Sequence, residues 1–211
     1  MVWDSSRRAW QRWTLTFLLL PALTVLSGCA SFYVDGNTKE VDSSQYKSPQ
    51  TKRPVQLLFE FQTKGVTNAR ATELLKARVS SQIKASGLFT DVSETPAAGG
   101  ALLSLTLNNV PLTDNAFSQG FVTGLTFGLA GSKVSDGYVC TARYTSGTAA
   151  GVVTKQARHA IHTTMGATAS PGDAVKAESI DAAVTTMTRQ VLSNVLNELS
   201  QDPAFRDATR P

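Results

Sequence analysis

Val55-Gln56-Leu57-Leu58-Phe59-Glu60-Phe61-Gln62 is followed at Asn68–Ser86 by NARATELLKARVSSQIKAS, and between the two the spacing of apolar residues changes. In the first stretch Val55, Leu57, Phe59 and Phe61 alternate with Gln56, Glu60 and Gln62, the period of a strand with one buried face. In the second, Ala71, Leu75, Val79 and Ile83 recur every fourth residue with Leu74 beside them, and Gly87 follows, which predicts an amphipathic helix closed by a glycine. Downstream, Leu88–Ser93 and Ala101–Val110 read as strands separated by the turn-rich Glu94–Gly100, with Leu103, Leu105 and Leu107 on one side. Asp136–Ser146 and Val152–Met165 are rich in Thr, Val and Tyr and predict a long antiparallel hairpin around Gly147–Gly151.

Ser170-Pro171-Gly172-Asp173 should open the last element, a long helix with Ile180, Val184, Met187, Val191, Val195 and Leu199 along one stripe. Asp173, Glu178 and Asp181 would then offset the positive end of its dipole. The predicted class is α+β: a mostly antiparallel sheet with a helix after the first strand and a long carboxy-terminal helix packed on one face. No internal repeat is visible.

Toward the amino terminus, Ala30–Arg53 is polar and without period, and reads as a flexible tether with a reach of about 25–30 Å. Before it, Arg7, Arg8 and Arg12 precede the apolar run Thr14–Val25, and Leu26-Ser27-Gly28-Cys29 follows directly. That is a three-part signal peptide, and its apolar run is short of the roughly 20 residues that span a bilayer.

At these residues the chain resembles bacterial lipoproteins, whose lipobox Leu26-Ser27-Gly28-Cys29 fits at all four positions. The resemblance implies recognition of Leu26, Ser27 and Gly28 by the lipoprotein peptidase. It also implies a diacylglycerol on the Cys29 sulfur and acylation of the freed amine, an anchor of two or three chains. Ala30, rather than Asp, after the cysteine implies sorting to the outer membrane, with the domain facing the periplasm. Residues 1–28 are then the signal peptide, 29–53 the lipidated cysteine and tether, and 54–211 one periplasmic domain. An ordinary secretory peptide with Cys29 paired to Cys140 is the alternative. The passage Ser80-Ser81-Gln82-Ile83-Lys84-Ala85-Ser86-Gly87-Leu88-Phe89, with the strand order around it, further resembles the periplasmic domains of envelope-assembly lipoproteins, a resemblance of pattern that carries no catalytic signature across to this chain.

Composition narrows the function classes. The 211 residues are 42% hydrophobic and 17% charged, enough to build a core. The formal net charge is +4, and losing Arg7, Arg8, Arg12 and Asp4 with the signal peptide leaves 17 basic against 15 acidic residues. That balance gives no basic stripe for nucleic acid, and two cysteines give neither a disulfide scaffold nor a Cys-rich zinc module.

Asn115–Ser132 (NAFSQGFVTGLTFGLAGS) carries no charge, and Gly120, Gly124 and Gly128 are spaced four apart among Phe121, Val122, Leu125, Phe127 and Leu129. Three readings stand: an apolar loop over the core, a shallow membrane insertion, or an oligomer contact, the last two through Gly120, Phe121, Gly124, Leu125, Phe127 and Gly128.

Catalytic and cofactor signals are weak. Ser132-Lys133 lacks the glycine and hydroxyl residue of a phosphate loop, and no Gly-x-Ser-x-Gly elbow occurs. His159 and His162 lie three apart on one strand and so point to opposite faces, which argues against a shared metal and for exposed or half-buried histidines. Cys140 is in phase with Tyr138, Ala142 and Tyr144 and reads as a buried thiol, with an intermolecular disulfide as the alternative. No catalytic residue, metal or cofactor is expected. The expected function is non-enzymatic: a lipid-anchored envelope protein presenting its domain to a protein partner, a second copy or the membrane. An envelope hydrolase is the competing class.

Overall fold

The computed structural model describes residues 30–112, 132–147, 151–165 and 171–207. The signal peptide with Leu26, Ser27, Gly28 and Cys29 lies outside the described residues. So do Gly120, Phe121, Gly124, Leu125, Phe127 and Gly128.

An eight-stranded sheet carries the described helices on one face. In chain order the strands are β1 Ala30–Val34, β2 Val55–Thr63, β3 Val66–Thr67, β4 Val92–Ser93, β5 Leu102–Pro111, β6 Ser132–Thr145, β7 Val153–Met165 and β8 Val175–Ala177. Among the described residues the α-helices are α1 Ala69–Ala85, α2 Ile180–Gln201 and the single turn α3 Pro203–Arg206. Spatially the order is β3-β2-β5-β6-β7-β1-β8, with β4 beside the start of β2. Pairing is antiparallel except that β2 runs parallel to β4 and β5, with α1 in the connection between β2 and β5.

Local chemistry sets the element ends. Lys64 and Gly65, at φ 53° and 79°, make the two-residue turn between β2 and β3, a geometry that suits the right-handed twist of a hairpin. The Asn68 side chain accepts the Ala71 N–H at 3.0 Å and caps α1, while Gly87 at φ 67° follows its last turn.

One face of the sheet and the helices enclose the core. Leu57 and Phe61 of β2, Leu103, Leu105 and Leu107 of β5, and Tyr138, Cys140, Ala142 and Tyr144 of β6 meet Leu75, Val79 and Ile83 of α1 and the apolar side of α2. Met187, Val191, Val195 and Leu199 are fully buried as the spacing predicts, and Leu192 and Leu196 widen the stripe. At the far end Tyr144 meets Phe205 edge-on with ring centroids 4.8 Å apart.

Four expectations are corrected. Residues 31–53 are part of the folded unit and not a flexible tether. Phe32–Val34 pair with β8, Val34 is buried, and Tyr46 packs on the core and donates its hydroxyl to the Ser193 carbonyl at 3.2 Å. Val41 and Lys47 N–H groups donate to the Ser193 and Ser200 hydroxyls at 2.9 and 3.2 Å, so the polar segment is held by side chains of α2. Secondly, α2 begins at Ile180, capped by Ser179, because residues 175–177 are drawn into the sheet edge; of the three acidic residues only Asp181 lies in its first turn. Thirdly, the strand read at Leu88–Ser93 shrinks to Val92–Ser93, while Leu88 and Phe89 bury their side chains from a turn. Fourthly, His159 and His162 are wholly buried.

Candidate functional site

Three places on the described chain bring functional side chains together. The first surrounds His159, whose side chain faces α2. The ring Nδ1 accepts the Ala160 N–H at 2.8 Å, and Nε2 lies 2.7 Å from Gln190 Oε1, so the imidazole is neutral with its proton on Nε2. Burial lowers its pKa against the opposing pull of Gln190 and Asp35. Asp35, at the end of β1, is itself buried: its Oδ1 accepts both the backbone and side-chain N–H of Asn37, and Oδ2 has no hydrogen-bond partner among the described residues. Beside Asp35 and Gln190 opens a cavity of about 310 Å³, with Thr38, Lys39, Lys176 and Glu178 also in its wall.

The second is the pair Ser135 and His162, directly opposite each other in the hairpin, with Oγ and Nδ1 2.8 Å apart. A serine and a histidine at this distance have the spacing of a nucleophile and its base. Both are buried, however, and attack on a substrate needs an accessible Oγ. As built, the pair ties β6 to β7. Counting the register of the hairpin from Tyr144 opposite Val153 would have placed the two residues together; their spacing along the chain gives no other signal.

The third is a groove of about 320 Å³ between the amino-terminal turns of α1 and α2, floored by Phe61 and Tyr138 and flanked by Leu74, Ile180 and Val184. Arg78 of α1 closes one side by reaching Asp181 at 3.4 Å and the Thr185 hydroxyl at 2.7 Å on α2. Leu74, beside the stripe of Ala71, Leu75, Val79 and Ile83 on α1, is exposed at this groove.

Cys140 is a buried free thiol, and burial pushes its pKa up to about 12. Among the described residues no three His, Cys, Asp or Glu side chains gather at metal-binding range. No helix among them is long and apolar enough to cross a membrane.

No protein-family model matches this sequence, and no curated protein is detectably similar to it. In outline the fold is similar to that of the PelC dodecamer of Paraburkholderia phytofirmans, 14% identical with a TM-score of 0.34 over 80% of this chain and 98% of that one. A homolog of neuraminyllactose-binding hemagglutinin from Helicobacter pylori is 12% identical with a TM-score of 0.34, over 75% and 88% of the two chains. A Caulobacter crescentus protein described as a lipoprotein is 12% identical with a TM-score of 0.27, over 67% and 84%. Likenesses of this size leave the site to be read from the chain's own residues.

Proposed function

We propose that this chain is a lipid-anchored protein of the bacterial cell envelope, non-enzymatic, that holds its α+β domain against the outer membrane and acts there on a partner. The observation that carries the reading is the start of β1 at Ala30, one residue after the lipobox cysteine. Acyl chains on that sulfur hold the chain to the bilayer within a few residues of its first strand. One acyl chain binds marginally, whereas two or three anchor stably, so the modification decides whether the domain works in solution or on a surface.

The non-enzymatic part of the reading is supported by the burial of Ser135 and His162 and by the neutral, hydrogen-bonded state of His159, which give each group a structural role. Replacing Cys29 tests the whole. Cys29→Ala should stop cleavage by the lipoprotein peptidase and remove the protein from the lipid-modified membrane fraction. A variant that is processed and fractionates like wild type would contradict the proposal.

A further inference from the structure

Resting on that lipid-anchored reading, we propose that one end of the sheet is itself a bilayer-contact surface, which fixes the orientation of the domain on the membrane. Strand directions define the end. The Asp35 N–H donates to the Ala160 carbonyl at 3.1 Å and the Thr38 hydroxyl to that of Arg158 at 3.1 Å, so β1 runs antiparallel to β7. Ser31 therefore lies level with the last residues of β7. β6 begins there too, since Ser132 is opposite Met165, and β5 ends close by, since Pro111 is opposite Asp136.

The helices start at this same end. The Phe61 carbonyl near the end of β2 accepts the Asn68 N–H at 2.8 Å, and Ile180 at the head of α2 shares a groove with Phe61 and Tyr138. The opposite end carries the tail of α2, where Asp202 meets Lys155 at 2.7 Å.

Exposed apolar side chains follow this polarity. Among the described residues eight large ones are exposed, and five lie at the Ser31 end: Val66 at 70%, Leu74 at 68%, Val134 at 53%, Met165 at 51% and Ile180 at 47%. Of the other three, Val152 is at the opposite end, Leu58 on the face of the sheet away from the described helices, and Val175 on the edge strand β8 opposite Val34. Soluble surfaces scatter such residues singly, so their gathering at one end marks a contact.

Covalent connection identifies the occupant as lipid. Cys29, the residue that would carry the acyl chains, is two residues from Ser31. Lys64 and Arg70 are interspersed there with Glu60, Glu73 and Asp181, so the contact is apolar rather than a reading of anionic headgroups.

The test uses the full mature protein, purified with its lipid, in phosphatidylethanolamine vesicles with and without phosphatidylglycerol. Leu74→Cys, Val134→Cys and Ile180→Cys, with Val152→Cys as the far-end control, are each labelled with an environment-sensitive fluorophore. All four positions are exposed, and Cys140 is buried, so labelling is specific and unchanged melting confirms the fold.

Spin-labelled lipid should remove most of the emission at residues 74, 134 and 180, equally in both vesicle types, and leave residue 152 unaffected. Equal quenching at all four positions, or at none, overturns the orientation. Shielding at the first three that persists in detergent, together with the mass of an oligomer, assigns the end to a second copy and also overturns it. The mass of the amino-terminal peptide separates the two readings. Acylated Cys29 with even quenching leaves the anchor standing and removes the orientation, whereas unmodified Cys29 removes the anchor and this proposal with it.

Discussion

His159 Nε2 lies 2.7 Å from Gln190 Oε1, a contact that ties the middle of β7 to the middle of α2 through a neutral imidazole. Burial holds the folded pKa below the ordinary 6.5, so on acidification the unfolded chain takes up this proton first. The stabilisation is complete above pH 6.5 and is lost as pH falls below it, until the folded histidine also titrates. Asp202, held below its ordinary 3.8 chiefly by the hydrogen bond from Lys155, contributes above 3.8 and loses that contribution only in stronger acid. Urea unfolding from about pH 7.5 to about pH 5 should show stability declining in wild type and a flatter profile in His159→Gln. Parallel profiles would show that His159 is not the titrating group.

Val191 and Val195 are both fully buried where α2 crosses the sheet. Truncating each to Ala should cost about 1–4 kcal/mol, the lost transfer energy plus the cavity left behind. Denaturant titration of the Val191→Ala, Val195→Ala double variant measures the total. A wild-type midpoint would contradict the packing of this helix face.

Gly36 sits where β1 leaves the sheet, and a Cβ there would stand 2.0 Å from the Asp173 carbonyl oxygen. Gly36→Ala should therefore push the following segment off its seat on α2. Limited trypsin digestion should cut faster after Lys39 and Lys47 in the variant than in wild type. Equal rates would show that the close approach is not needed to hold residues 36–53.

The strands and helices were legible in the sequence wherever one element buries one face. Leu103, Leu105 and Leu107 gave β5, and the four-residue spacing of Leu75, Val79 and Ile83 gave α1. Phe32 to Val34 escaped because a short strand with mixed neighbours has no period, and its partner β8 lies more than a hundred residues away. The following strap escaped for a related reason: its order comes from hydrogen bonds to Ser193 and Ser200 of α2, which no local pattern announces. The opposed faces of His159 and His162 were legible from their spacing, while the burial of both depends on tertiary packing. At the candidate site, Ser135 and His162 meet through hairpin register, and the apolar end of the sheet exists only once strand directions are known.

Cys140 has a buried thiol with its pKa pushed up to about 12, so almost none is thiolate at neutral pH. Iodoacetamide should leave it unmodified in the folded protein and alkylate it once urea unfolds the chain, as read by mass spectrometry. Rapid alkylation under native conditions would contradict its place in the core beside Leu107 and Ala157.

The central claim is that Cys29 is the first residue of the mature chain and carries lipid, so that β1 starts at the membrane. The mass of the amino-terminal peptide of protein extracted from bacterial membranes tests this most directly. The account predicts a peptide beginning at Cys29 with a diacylglycerol thioether and an acylated amine. A peptide beginning at any other residue, or an unmodified Cys29, would contradict it.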